Sequence, residues 1–372
     1  MPTSPLGFGD PAPWFFCRTE SNPRYVFDTV AGRFVVLSLF ESAAQPQIQE
    51  FLACIMADCD RFDDSNLCFF GVSADVEDDI QKRVSNRLPG IRFIWDDDRA
   101  VSSLYGAHVD GNAYRNMTYL LDPMLRVVAN LPFDGSGSEH FQALRTLLSQ
   151  LPPIGEDFPA LLQAPILVIP RVFEPEFCAR LIAYYDSHGG EDSGFMRDVN
   201  GKTVKIIDHG HKRRRDCTVE DEMLRTECMH RIHDRLAPQI QRAFQFNPTR
   251  MERYIIACYD DAESGHFRPH RDNTTKGTAH RRFAVSLFLN SGEYEGGYLR
   301  FPEFGPGQYT APTGGAVVFS CSLLHEATPV TKGRRMMFLP FLYDEPARRV
   351  REQNLQFLDE QIATAEFRGA TE

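Results

Sequence analysis

The sequence predicts two successive folds, an α/β layered domain and then a sandwich or jelly roll of short strands braced by helices. Three observations lead to this reading. Up to about residue 150, apolar strand-like runs alternate with segments of helical spacing, the pattern of a sheet with helices on its faces. Beyond about residue 164, helices come first, and short strands separated by Gly and Pro turns follow. Between the two, Leu151-Pro-Pro-Ile-Gly-Glu-Asp-Phe-Pro breaks both patterns and reads as a linker. The chain has 372 residues, and about 150 residues per domain leaves room for two domains with connecting elements.

In chain order, the apolar stretch Phe34–Phe40 is a buried strand, Gln47–Cys59 has helical spacing, and Leu67–Ser73 is a second strand. Val76–Arg87 reads as a charged helix, Ile91–Trp95 as a strand and Arg99–Tyr105 as a short helix. Met117–Asp122 and Arg126–Leu131 pair as a hairpin across Pro123-Met-Leu, and the helix Phe141–Gln150 closes the domain. In the second domain the helices are Glu174–Ser187 and Glu220–Phe246. The strands are Arg253–Tyr259, Phe283–Asn290, Tyr298–Phe301, Gly315–Ser320 and Met336–Tyr343. The charged tail after Glu345 reads as a helix, with its apolar stripe in Asn354-Leu-Gln-Phe-Leu. The expected layout is therefore an N-terminal domain at 1–152, a linker at 153–163, a second domain at 164–345 and a C-terminal helix at 346–372.

Composition narrows the function classes. Forty Lys and Arg against 51 Asp and Glu leave a net charge of −11. That argues against a whole-protein grip on nucleic acid or anionic membrane, though not against a local basic patch. No apolar run approaches the ~20 residues of a membrane helix, and the first residues show no basic-then-apolar secretory pattern. Nine cysteines, without CxxC or zinc spacing, read as free thiols of a reducing compartment. A cytoplasmic protein is expected.

Gly9-Asp-Pro-Ala-Pro-Trp-Phe, Phe70-Gly-Val-Ser-Ala-Asp, Trp95-Asp-Asp-Asp-Arg-Ala-Val-Ser-Ser-Leu-Tyr and Thr118-Tyr-Leu-Leu-Asp-Pro-Met-Leu-Arg-Val make residues 8–150 resemble the peroxiredoxin branch of the thioredoxin-like family. The resemblance implies a thioredoxin-like α/β fold, but not the chemistry. Peroxide reduction needs a thiolate of lowered pKa, which that family places in a Pro-x-x-x-Thr-x-x-Cys segment after the first long strand. Here Glu41 replaces the proline, Gln45 the threonine and Ile48 the cysteine. Asn116 stands where the family has an arginine, with Arg115 beside it. Cys54 and Cys59, five apart on an expected helix, point in different directions and read as buried helix thiols. A non-catalytic docking or dimerisation module is expected.

The second domain carries Gly265-His-Phe-Arg-Pro-His270-Arg-Asp272-Asn. A His-x-Asp pair near a strand end can present an imidazole and a carboxylate to one cation. His325, just after the strand Gly315–Ser320, offers a second imidazole. Two His with one carboxylate is the facial arrangement of non-haem Fe(II) oxygenases. By itself, a His-x-Asp reads first as surface or hydrogen-bonded core residues. Arg335, ten residues past His325 at the start of the next strand, strengthens the metal reading, because it can bind a dicarboxylate through two parallel hydrogen bonds. Arg334 is its rival. Strand alternation puts only one of the two inside, and spacing favours Arg335.

With Ala257-Cys-Tyr, Leu289-Asn, Glu295-Gly-Gly-Tyr-Leu-Arg-Phe-Pro and His325-Glu-Ala-Thr-Pro-Val, residues 166 to 345 resemble the Fe(II)/2-oxoglutarate dioxygenases of the prolyl 4-hydroxylase type, the oxygen-sensing ones in particular. The resemblance implies a double-stranded β-helix jelly roll with Fe(II) on His270, Asp272 and His325. It also implies Arg335 on the distal carboxylate of 2-oxoglutarate and Tyr259 lining the co-substrate pocket. Phe288 and Phe267 depart from it, since the sensor enzymes have tyrosines there. The implied reaction uses O2 and 2-oxoglutarate, with ascorbate as an optional accessory, hydroxylates a C–H bond and releases succinate and CO2. Retention of Asp272 favours hydroxylation over halogenation. A prolyl or similar residue of a peptide or protein is the leading substrate class. The alternatives are a small molecule, such as a free amino acid or natural-product precursor, and a non-catalytic protein that senses iron or 2-oxoglutarate. A homodimer through the N-terminal domain or the C-terminal helix is a further expectation.

The basic run His209-Gly-His-Lys-Arg-Arg-Arg215 reads first as a solvated turn pairing with Asp216, Glu220 and Asp221. Attraction of an anionic substrate comes second and nucleic-acid contact a distant third. Arg268, Arg271, Arg281 and Arg282 fit an anionic substrate, or balance Asp272 and the co-substrate. His266 and His280 read as surface or supporting residues.

Overall fold

A computed structural model describes residues 4–20, 22–109, 113–155 and 162–359. Contacts divide the chain into two units, Met1–Phe158 and Pro159–Glu372. Of the expected linker at 153–163, residues 156–161 lie outside the described residues.

The first unit holds a seven-stranded sheet in the order Tyr25–Val26, Phe16–Thr19, Ile91–Trp95, Leu67–Ser73, Phe34–Phe40, Met117–Leu121, Val127–Pro132. The three central strands Ile91–Trp95, Leu67–Ser73 and Phe34–Phe40 are parallel, and their outer neighbours pair antiparallel. Both faces of the central strands are covered, which is why they read as unbroken apolar runs. Val35, Leu37 and Leu39 join one core with Phe70, Val72 and Tyr119. Phe34, Val36 and Phe40 join the other with residues of the helices Pro46–Ala57 and Gly137–Leu148. Ser38 is the polar exception. Its hydroxyl lies 3.0 Å from Thr118 Oγ1, which lies 2.9 Å from His140 Nε2, so these buried atoms satisfy one another.

The helix expected over Val76–Arg87 stops at Ile80. Asp78 is buried there and accepts from Ala43 N–H, the Ser73 hydroxyl and Arg83, while Lys82 takes left-handed backbone at φ +52°. Satisfying the buried carboxylate draws Arg83 back across the helix end and overrides helix propensity.

The second unit packs two antiparallel sheets face to face, a jelly roll with supporting helices. The larger sheet runs Leu167–Ile169, Ala316–Ser320, Phe283–Phe288, Arg334–Phe338, Ile255–Asp260, Arg215–Thr218, Glu191–Asp192. The smaller runs Lys212–Arg213, His266–His270, His325–Ala327, Leu299–Arg300, Gln308–Tyr309. Their inner faces share one core, in which Ala257, Phe288 and Met337 of the larger sheet meet Phe267, Leu299 and Ala327 of the smaller. The helix Pro175–His188 packs against the strand Ile255–Asp260 of the larger sheet.

Two expected helices are shorter than their sequence pattern. Glu220–Phe246 resolves into Glu222–Arg231, a π-helical turn Ile232–Leu236 and Ala237–Phe244. Pro238 has no N–H to give the preceding turn, and the helical register shifts at that point. The helix expected over 346–372 covers Glu345–Asn354 and ends in a 3-10 turn, Leu355–Phe357. Leu358 then pairs with Thr203 and buries itself against Gly277, so tertiary packing pulls the chain out of the helix. Residues 360–372 lie outside the described residues. All nine cysteines are free, and only Cys54 and Cys59 are not buried. Among the described residues, no helix is long and apolar enough to cross a membrane.

Candidate metal centre

His266–His270 and His325–Ala327 are neighbouring strands of the smaller sheet, and their register sets His270 opposite His325. Asp272 follows two residues later, anchored by its N–H to the Cys321 carbonyl at 3.0 Å. One ligand atom from each of the three residues lies within 4.8 Å of the others. Asp272 Oδ1 is 3.5 Å from His270 Nε2, and Oδ2 is 3.4 Å from His325 Nε2. The far nitrogens are tied to backbone. His270 Nδ1 is 2.8 Å from Arg268 O, and His325 Nδ1 is 3.0 Å from Leu323 O. A carbonyl only accepts, so Nδ1 carries the hydrogen and each Nε2 turns its lone pair toward the shared point.

The protonation states suit a divalent cation. Burial, then repulsion from His270, lowers His325 to about 4, which leaves it neutral near pH 7. Burial alone would raise the Asp272 carboxyl, but His325, His270 and Arg281 outweigh it and hold that group well below the usual carboxylate range. Two imidazoles and one carboxylate on a single face fit iron(II). Aromatic rings wall the cluster: Phe267 stacks on His270 with centroids 3.4 Å apart, and Phe319 lies 4.6 Å from His325.

Arg334 and Arg335 fall on opposite faces of the strand Arg334–Phe338. Arg334 is exposed and pairs with Asp186 at 2.9 Å. Arg335 is 1% exposed and lines the same pocket as His270, Asp272, His325 and Tyr259. Gly297 makes room for its stem, since a Cβ there would lie 2.6 Å from Arg335 Cδ. The guanidinium sits 5.0 Å from the Tyr259 ring and 5.3 Å from the Phe288 ring. Its Nε and Nη2 have no hydrogen-bond partner among the described residues. A buried cation with free donors is costly until an anion joins it, so the site fits a carboxylate ligand.

Residues 254–343, which hold all five of these positions, match the 2OG-Fe(II) oxygenase superfamily, and residues 8–129 match the AhpC/TSA family. The first unit thus carries the AhpC/TSA match and the second the 2OG-Fe(II) oxygenase match. The chain is 30% identical over 129 residues to a PKHD-type hydroxylase of Verminephrobacter eiseniae (strain EF01-2), which covers 32% of this chain and 53% of that protein. A PKHD-type hydroxylase of Shewanella frigidimarina (strain NCIMB 400) is 37% identical over 81 residues, 21% of this chain and 36% of its own. The chain thus spans about half the length, or less, of these relatives. Among solved structures, a prolyl hydroxylase from Trichoplax adhaerens, in complex with a hypoxia inducible factor oxygen degradation domain peptide fragment, is similar at 16% identity and TM-score 0.38. It covers 50% of this chain and 86% of that one. The Xanthomonas campestris bacterioferritin comigratory protein is similar at 16% identity and TM-score 0.31, covering 37% and 91%.

The basic run preceding the oxygenase motif is a turn only over 209–211, and its expected pairing with Asp216 is made by the buried Arg214. The chain then forms the short strands Lys212–Arg213 and Arg215–Thr218, with Arg214 at the corner where the chain passes from the smaller sheet to the larger. Lys212 and Arg214 are 3% and 5% exposed and line the oxygenase pocket. Arg214 donates to Asp216 Oδ2 at 2.7 Å and to the Tyr259 hydroxyl at 3.3 Å. No local signal marks which of these residues turn inward, because every position from 212 to 216 is charged. The arginines nearer the iron motif are occupied elsewhere: Arg271 pairs with Glu303, Arg281 with Glu252, and Arg282 donates to Ala279 O. Arg268 is exposed. His280 is fully buried at 2.7 Å from Glu252, and His266 bonds Ser264 O.

In the AhpC/TSA domain, the positions that departed from the peroxiredoxin pattern meet in space. Asn116 Nδ2 donates to Gln45 Oε1 at 2.7 Å, Gln45 Nε2 to Glu41 Oε2 at 3.2 Å, and the Glu41 N–H to Asn116 Oδ1 at 2.9 Å. The three close a ring of hydrogen bonds. Ile48 is fully buried, and Arg115 is exposed.

Proposed function

We propose that the oxygenase domain is an Fe(II)- and 2-oxoglutarate-dependent dioxygenase that hydroxylates a C–H bond of a prolyl or similar residue in a peptide or protein, releasing succinate and CO2. One observation carries the reading: a pocket in which two Nε2 lone pairs and a carboxylate converge beside a buried guanidinium with unused donors. In this reading His270, Asp272 and His325 hold the iron, Arg335 takes the distal carboxylate of 2-oxoglutarate, and Tyr259 lines the co-substrate site. The bound iron and 2-oxoglutarate supply the O2 activation that breaks the C–H bond. The chain's own residues prepare it. Arg268 O and Leu323 O fix the imidazole tautomers, the rings of Phe267 and Phe319 pack on His270 and His325 and hold their orientation, and Arg335 orients the co-substrate. The hydroxylase names of the similar proteins support the same reaction type.

We assign residues 164–345 to catalysis and 1–152 to a docking or dimerisation role without thiol chemistry, with 153–163 as the linker between them. The filled ring at Glu41, Gln45 and Asn116 and the isoleucine at position 48 support this. The free cysteines support a cytoplasmic setting. The test is succinate release, with a gain of one oxygen on a prolyl peptide, by the full chain supplied with Fe(II), O2 and 2-oxoglutarate. Binding of 2-oxoglutarate without its decarboxylation in any substrate pool would leave the protein a sensor and defeat the enzyme reading.

A further inference from the structure

We infer that the oxygenase pocket holds a second anion site, formed by Lys212, Arg214 and Arg253, which selects a substrate bearing a carboxylate close to the carbon that is hydroxylated. The inference rests on the function proposed above and adds the substrate class.

Charge decides it. Lys212, Arg214, Arg253 and Arg335 all line the pocket, against Asp272 and the adjoining Asp216. With the cofactors in place, the metal end is neutral: iron(II) and Arg335 offset Asp272 and the two carboxylates of 2-oxoglutarate. The other end is not. Asp216 alone faces three cations, 2.7 Å from Arg214 and 3.5 Å from Arg253. Lys212 bonds only neutral oxygens there, Ser193 Oγ at 2.7 Å and Gly194 O at 2.6 Å. The nearby Glu252 is already held by Arg281 at 2.6 Å and His280 at 2.7 Å. The two arginines against Asp216 leave one positive charge in the lining, and Lys212 adds a second when an anion beside it keeps it protonated. Lys212 and Arg214 are almost wholly buried, so water cannot screen them as it would at a surface, while the Arg253 side chain is 31% exposed.

Geometry places this excess beside the chemistry. Lys212 Nζ lies 4.8 Å from the centroid of the Phe267 ring, the same ring that stacks on His270. Arg214 reaches the Tyr259 hydroxyl, whose ring also faces Arg335. Both carboxylates of 2-oxoglutarate are assigned elsewhere, one at the metal and one at Arg335. The anion that meets the remaining charge thus comes with the substrate, a few bonds from the reacting carbon. Burial draws the Lys212 ammonium well below its ordinary range, and an adjacent carboxylate would restore its charge.

The experiment is calorimetric binding to the full chain loaded anaerobically with Fe(II) and 2-oxoglutarate, using two matched pairs. L-Proline against L-prolinamide tests a small acid, and acetyl-Pro-Asp-amide against acetyl-Pro-Asn-amide tests an acidic peptide residue. The expected result is at least about tenfold tighter binding of the carboxylate member in one pair, and the responding pair identifies the source. Arg253→Gln and Lys212→Gln should bring that ratio toward one, while Arg253→Lys retains it. Arg253, the more exposed, keeps the test interpretable if Lys212→Gln fails to fold. Equal affinities within both pairs, or a preference that survives Arg253→Gln, would overturn the inference. Decarboxylation of 2-oxoglutarate without any carboxylate preference would sink the anion site and leave the proposed function standing. A carboxylate preference without decarboxylation would do the reverse.

Discussion

The two domains treat their inherited site positions in opposite ways, and the difference is one of polar satisfaction. In the AhpC/TSA domain, Glu41, Gln45 and Asn116 hydrogen-bond one another, and Ile48 fills the thiol position with a methyl-bearing side chain. Nothing there waits for a ligand. In the oxygenase domain, two imidazole lone pairs converge on a carboxylate, and Arg335 keeps Nε and Nη2 unused in a pocket walled by rings. Unsatisfied buried polar atoms are costly, so a fold retains them where a ligand completes them. The comparison teaches that a site is better recognised by unmet bonding capacity than by family resemblance, because both domains carry the resemblance.

Four measurements can break or sharpen this contrast. The largest effect belongs to the open site. His270→Ala or Asp272→Ala should weaken iron binding by ~100-fold or more and abolish succinate release, and retained stoichiometric iron would refute the triad. Next comes the closed domain's polar chain at His140. Burial lowers this imidazole from 6.5 to about 4, so the unfolded chain binds its proton first as the medium acidifies. Stability should be full above pH 6.5 and fall by about 3 kcal/mol as pH drops to 4, read as the denaturation midpoint of the first unit. His140→Gln should flatten that slope, and an unchanged slope would point to other groups.

A smaller effect separates the two adjacent arginines. Arg335→Gln should raise half-saturating 2-oxoglutarate by about tenfold or more, whereas Arg334→Gln, on the outer face with Asp186, should change it less than about twofold. Equal effects would mean that the strand face does not decide the co-substrate contact. The smallest effect is expected for Cys54→Ser combined with Cys59→Ser, which should leave peroxide consumption at background. A rate that disappears with these thiols would reopen redox chemistry in the first domain.

Much of the site could be read without coordinates, because its signals are local. The spacing His270-x-Asp272, a histidine after the strand Ala316–Ser320 and an arginine at the next strand all survive as short-range pattern. The missing cysteine at position 48 was equally plain. The oversights have physical causes. Val76–Arg87 has helical charge spacing, but the buried Asp78 draws Arg83 to 2.8 Å and ends the helix, a contact that neither pattern nor propensity contains. The run at 209–215 has the composition of a solvated turn, and nothing in its unbroken charge marks Lys212 and Arg214 as the two that turn inward.

What the sequence by itself determined is therefore the order of folds, the donor types of the candidate metal cluster and the absence of a cysteine at position 48, all properties of residue identity and spacing. The tertiary structure alone decided which charges are buried. Arg334 and Arg335 are chemically identical and adjacent, as are Arg213 and Arg214. Arg334 and Arg335 are sorted by strand alternation, which spacing already favoured, whereas Arg214 turns inward at the corner between two sheets, a long-range packing fact that no local pattern contains.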